Sequence, residues 1–349
     1  MTASVRSPSN SAGSRWPATL FRPGSGDPGP ATVSGTMLPE PSLLTDTLPT
    51  ATLNERGRPV GPLRDELRRI PDLRNAAHVA GAWLQSVGII AVALWTHHPI
   101  AWVAAFLLMG RAHARFAILG HEAAHRLLFT NRRLNDWVGA WLVAYPTFLP
   151  IDAYRRSHMA HHKEEFGPNE PDLGLYSGYP ITRASWHRKL RRDAFGNSGW
   201  KNLKALLLAF RSPRSRGIAL RIAACQVPLI VGSTLAGYRL AWPLLWLAPW
   251  MTVWRVLNRL RAIAEHGGMQ RSDDRRLTTH HVRQGVWARF WMVPFNTGWH
   301  LAHHVDIGVP FQHLPRFHDE LVAAGWVPAD LEYPSYRALW RRASSRPAV

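Results

Sequence analysis

The stretch Asn75–Gly110, NAAHVAGAWLQSVGIIAVALWTHHPIAWVAAFLLMG, holds no Asp, Glu, Lys or Arg in 36 residues. One membrane crossing takes about 20 apolar residues, so the run is too long for one and close to two. Its single interruption, Thr96-His97-His98-Pro99, is a turn signal. The reading is a hairpin of crossings at 76–96 and 99–119. Arg111, His113 and Arg115 fall in the last third of the second arm. Charge deep in hydrocarbon is costly, so that end leaves the membrane or faces protein.

A second hairpin is expected at 218–237 and 240–258, with Arg239 at its turn and Trp242 and Trp254 in its second arm. Asp136–Tyr154 is shorter and broken by Pro146 and Pro150, so it reads as interfacial or re-entrant. Trp200–Phe210 reads as an interfacial helix. Arg clusters occupy 56–74, 111–133, 183–221 and 255–289, whereas the two hairpin turns carry none and one. The positive-inside rule then puts both termini and all the basic segments in the cytoplasm of a multi-pass cell-membrane protein. The fold expected is all-α, with about four transmembrane helices plus interfacial helices and a cytosolic cap.

Residues 1–60 are rich in Ser, Thr, Pro and Gly and show no periodicity. They read as a disordered tail before a single domain, 61–349. No secretory signal is read in them, and Met37 is an alternative start.

The chain has 349 residues, 42 Lys+Arg against 23 Asp+Glu, and a net charge of +19. A pI near 11.3 alone would suggest nucleic acid, with steep salt dependence and a soluble protein. Segregated apolar runs hidden beneath a mean hydropathy of −0.17 argue against it. Only Lys163, Lys189, Lys201 and Lys204 are lysines, so part of the basicity follows from an Arg-rich, GC-type composition. The one cysteine, Cys225, excludes a disulfide scaffold, a Cys-rich zinc ribbon and a cysteine-ligated cluster.

Eight of the 18 histidines form three groups: His121 and His125; His158, His161 and His162; His300, His303 and His304. Positions i, i+3 and i+4 share a helix face, so each group aims its imidazoles at one spot. The topology places all three on one side of the membrane. Imidazoles without thiolates suit iron, copper or zinc. His78, His97, His98, His187, His280, His281 and His318 are read as ordinary, and His113 as lining the site. The first group also matches HExxH, a zinc-protease helix with Glu122 as base. That remote alternative gives the two HxxHH groups no role, since such a site needs three protein ligands. The economical reading is a non-haem di-iron centre with O2 as co-substrate. Acids placed to accept a distal imidazole N–H are Asp152, Glu164, Glu265 and Asp306.

In order, HxxxH, HxxHH and HxxHH resemble the histidine boxes of the membrane fatty acid desaturase and hydroxylase superfamily, over about Leu63–Trp340. Gly120–His125 with Asn131-Arg132 and Asn135, Tyr154–His158, Pro171-Asp172, Arg261–Gly267, Phe295-Asn296, Val309-Pro310 and Leu314-Pro315 are similar to its bacterial acyl desaturase branch. The resemblance implies a mushroom-shaped helical membrane protein with two irons. It implies O2-dependent formation of a double bond in an acyl chain of a lipid, acyl-CoA or acyl carrier. His121, His125, His158, His161, His162, His266, His300, His303 and His304 are then the expected iron ligands. His266 enters only through the resemblance, and Asn296 would hold a water or a hydrogen bond beside the irons. No haem-binding His-Pro-Gly-Gly stretch occurs, so electrons are expected from an external ferredoxin-like donor. A hydroxylase, ketolase or other monooxygenase on the same scaffold is the nearest rival. Val305-Asp306-Ile307-Gly308 departs from the family's usual aromatic and proline after the third box, which bears on substrate choice.

Overall fold

The structure, a computed structural model, describes residues 35–347. Its described elements are helical apart from one two-residue parallel strand pair, His281–Val282 with Glu332–Tyr333, and an isolated bridge. The uncharged stretch folds as a helical hairpin of α1 (Asp72–Thr96) and α2 (Pro99–His125). His97 adopts the left-handed conformation that ends α1. The His98 ring nitrogen then accepts the Ile100 amide, and Pro99 starts α2. Leu84, Val87, Trp95, Ile100 and Val103 point outward, as lipid-facing residues do, whereas the second half of α2 is buried.

The charges at that buried end face protein. Arg111 donates to the Phe290 carbonyl at 2.8 Å and pairs with Gln85. The Arg115 guanidinium lies 4.6 Å from the Phe295 ring centre. Each cation therefore has a polar or π partner instead of lipid.

α3 (Ile151–Glu164), α4 (Asn197–Ala209) and α5 (Arg216–Leu235) follow. Among the described residues, α1, α2 and α5 are long and apolar enough to cross a membrane. The expected fourth arm is not one helix. A wide turn, Trp242–Leu247, leads to Ala248–Met251, and the backbone breaks at Thr252 before α6 (Val253–His266). Gly110 lets α2 approach this break, since a Cβ there would overlap Val253. The Asp136–Tyr154 stretch is likewise fragmented, passing from Arg132–Val138 through a wide turn into Tyr145–Thr147. α4 is amphipathic, with Trp200, Leu207 and Leu208 exposed.

Residues 35–60 correct the expected tail in part. Met37 and Leu53 are fully buried. Arg58 Nε donates to the Val305 carbonyl at 3.2 Å, and the Thr45 carbonyl accepts from Arg276 at 2.9 Å. An extended strap needs only isolated apolar anchors, and periodicity does not detect those. The remainder of the expected tail, 1–34, lies outside the described residues.

Candidate metal centre

Four segments separated by up to about 180 residues build the site. α2 supplies His121 and His125 from its last turn. α3 supplies His158, His161 and His162, and His266 ends α6. α7 (His300–Val305) carries His300, His303 and His304.

Capping fixes the first two helices together. Arg155 of α3 donates to the carbonyls of Ala123 and Ala124 at 3.0 and 3.1 Å. These carbonyls lie in the last turn of α2, where the intrahelical ladder runs out. Asn135 adds a third bond to the Ala123 carbonyl and accepts the Leu128 amide. Tyr154 stacks on His158 with ring centres 5.3 Å apart. Beyond α6, the His280 ring bonds the Gly267 carbonyl at 2.8 Å and so holds the chain that leaves His266.

The structure brings all nine expected imidazoles into two adjoining groups. In one, ring nitrogens of His121, His125, His158, His162 and His303 lie within 4.8 Å of one another. Nε2 atoms approach to 2.9 Å (His125–His158), 3.1 Å (His158–His162) and 3.2 Å (His162–His303). In the other, His161, His266 and His304 meet the same limit. His300 Nε2 lies 3.1 Å from His266 Nε2 and 3.0 Å from His304 Nε2. The groups abut, with the His162 and His304 rings 4.4 Å apart.

These spacings fit metal ligation. Nitrogens about 2.1 Å from one ion sit about 3.0 Å apart at right angles and about 3.4 Å apart at tetrahedral angles. The unmet buried nitrogens agree: both of His121 and Nδ1 of His162 have no hydrogen-bond partner. Burial, followed by repulsion from neighbouring imidazoles, holds His158, His162, His303 and His304 well below the ordinary imidazole pKa. Neutral rings offer lone pairs. His161 goes the other way: burial lowers it, but the hydrogen bond and charge of Glu170, with Glu165 and Asp172, raise it overall.

The acids divide unevenly. Glu265 lies 3.5 Å from His300 Nδ1, an ion-pair distance without a hydrogen bond. Asp152 is exposed on α3 and faces Arg155 at 4.0 Å, so it orients no ligand. Glu164 makes no ion pair with any of the nine. Asp306 is buried but turned away, bonding Arg68 at 2.8 Å and the Gly308 amide at 2.9 Å. Asn296 sits in a left-handed turn before α7 and makes no side-chain hydrogen bond among the described residues. Sequence reasoning missed Glu165, 2.5 Å from His304 Nδ1, and Glu170, 3.0 Å from His161 Nδ1. It also missed the Tyr176 hydroxyl, 3.1 Å from the same His161 nitrogen. The one available signal was the acid-rich run Glu164–Asp172 directly after the second box. Glu122, the base of the HExxH alternative, accepts the Phe311 amide at 3.0 Å. His113 stays outside both groups and bonds the Trp246 carbonyl at 2.9 Å.

Asp306→Ala therefore tests a structural role. It should keep full metal content and lose about 1–3 kcal/mol of stability, because the Gly308 amide loses its acceptor. Thermal unfolding and metal analysis read the two separately.

A cavity of about 690 Å³ adjoins the site, walled by Ala117, Phe148, Leu149, Tyr154, Leu206 and Trp254. Ala117 lies one turn before His121 on α2. Arg261 lines both this cavity and a narrow cleft at His121, His300 and His303. A second cavity of about 770 Å³ shares Tyr154, Asn202, Arg255 and Asn258 with the first and adds Arg192, Lys201 and Arg259. Together they form an apolar chamber with a basic, polar mouth.

The family model described as fatty acid desaturase matches residues 62–337. The dihydrorhizobitoxine desaturase of Bradyrhizobium elkanii is 28% identical over 62% of this chain and 65% of its own length. An sn-1 oleoyl-lipid 12-desaturase of Arthrospira platensis is 25% identical over 69% of this chain and 71% of its own. A chloroplastic omega-6 fatty acid desaturase of Arabidopsis thaliana is 23% identical over 82% of this chain and 65% of its own. The chain thus spans about two thirds of the length of these relatives.

Proposed function

The chain belongs to the fatty acid desaturase family and is an oxidoreductase; from that premise we propose that it is an O2-dependent di-iron desaturase of acyl chains. The observation that carries the reading is the two abutting groups of five and four imidazoles beside an apolar chamber. The nine histidines are its proposed ligands. Two bound irons would supply oxygen activation for attack on an unactivated C–H bond, forming a double bond and water with two electrons from an external ferredoxin-like donor. The residues themselves do the rest. Tyr154 packs His158 in place, Arg155 ties α3 to α2, and the outer acceptors orient the rings of the four-histidine group. The apolar walls order the acyl chain and keep bulk water from the site. Arg255 and Asn258 stand at the constriction, where a polar acyl head would rest.

We place the protein in the cell membrane with four crossings. The broken arm 240–258 supplies the fourth, and residues 61–349 form one domain onto which 35–60 are strapped. The Arg-rich flanks and the histidines then face the cytoplasm. The same basic face suits an acidic electron donor.

The test is expression in a host that lacks the activity, with profiling of total acyl chains, and metal analysis of the purified protein. A new double bond and about two irons per chain are expected. An oxygenated chain would favour a monooxygenase instead. One zinc and no iron would overturn the reading.

A further inference from the structure

Three of the acids beside the site make their shortest histidine contacts within one group. Glu170 holds His161, Glu165 holds His304 and Glu265 stands at His300, at 3.0, 2.5 and 3.5 Å from the respective Nδ1 atoms. The fourth ring of that group, His266, gives its Nδ1 to the Thr278 carbonyl at 2.9 Å. Three of the four Nδ1 atoms thus have a hydrogen-bond acceptor and the fourth, on His300, faces the Glu265 carboxylate at 3.5 Å, which favours the Nδ1–H tautomer and leaves the Nε2 atoms free to ligate. The group of five is built differently. Among the described residues no carboxylate pairs within 4.0 Å with a ring nitrogen of His121, His125, His158, His162 or His303, and Glu165 comes only within 4.8 Å of a His162 nitrogen. His121 has neither nitrogen bonded, and His162 Nδ1 is bare.

We propose that Glu165, Glu170 and Glu265 are positioning residues chiefly for the four-histidine metal, so that their loss releases that ion separately from the other. The proposal rests on the two-metal reading. Charge points the same way as orientation. Arg275 pairs with Glu165 at 2.7 Å and Arg261 with Glu265 at 2.9 Å, whereas Glu170 and the neighbouring Asp172 make no ion pair with a guanidinium among the described residues, so negative charge remains beside a dication. The five-histidine position has no such charge and holds its ion by ligand number.

The measurement is iron per chain after gel filtration without added metal, with the Mössbauer spectrum of 57Fe-loaded protein. Wild type should hold about two irons as two doublets of equal area. A protein that never holds two ions sinks the two-metal reading itself, before the variants are compared. Glu170→Gln should weaken one ion about 10–100-fold and leave about one iron and one doublet. His121→Ala should also leave about one iron, with the other doublet. Glu265→Gln, acting at His300 instead of His161, should repeat the Glu170→Gln spectrum, and it serves if Glu170→Gln does not fold. Two irons retained at unchanged affinity in both Glu variants overturns the proposal. So does parallel loss of both ions from a variant that keeps the wild-type circular dichroism.

Discussion

His303→Ala should remove turnover to background and lower the iron content. His303 Nε2 lies 3.2 Å from His162 Nε2, and its ring centre is 4.6 Å from His121 and 5.5 Å from His304. It sits at the seam between the two groups. Losing an outer partner of a ligand typically costs about 10–100-fold in metal affinity or activity, and losing a ligand should cost more. Double-bond formation in the expression assay should therefore fall by at least about a thousand-fold. His318→Ala is the control. His318 is also buried, but it stacks on Trp299 at 4.4 Å and His281 at 4.5 Å, outside both groups. Iron should stay near two per chain in that variant even if stability falls. Equal iron loss from both variants would mean that the nine histidines hold no metal distinct from the rest of the buried imidazoles.

Ala117→Phe should cost about a hundred-fold or more in activity while iron stays near two. Ala117 lines the apolar chamber one turn before His121, so a phenyl ring there fills the space nearest the ligands. A displacement of about 1 Å at a reacting carbon can cost about a hundred-fold. Shorter acyl chains, which can be seated without passing the ring, should lose least. The outcome separates chamber from metal, because His303→Ala changes iron and Ala117→Phe does not. Unchanged activity on long chains in Ala117→Phe would show that the acyl chain runs elsewhere.

The boundaries of the first hairpin were legible because absence of charge is a signal that needs no partner. Thr96 and Pro99 end and start the two helices where the turn was expected. The histidines were legible for a similar reason: spacing on one helix predicts a shared face without knowledge of the neighbour. Their supporting acids were not. Asp152 lies six residues before His158, roughly 240° around the helix at about 100° per residue, and so points away. Glu165 and Glu170 reach back only because the chain leaves the α3 axis at Glu165 and passes through a left-handed Phe166. Asp306 was read from its closeness to His304, but its partner Arg68 lies 238 residues earlier. Such partners are fixed by tertiary packing. The same holds for Met37 and Leu53, single anchors in a segment of tail-like composition.

The spread of the ligands along the chain bears on biosynthesis. His121 and His125 are made first, on a helix that closes the first hairpin, and the last member of their group, His303, follows about 180 residues later. Until then the early imidazoles lack the rings that complete either position. A ribosome-bound chain stopped before residue 300 carries membrane helices but no finished site. On the proposed two-iron reading, metal loading is therefore a late event, and the strap at 35–60 can close over Val305 only once α7 exists. Insertion and metallation are separable stages in the life of this enzyme, and a metal-starved cell should accumulate it already embedded but unloaded.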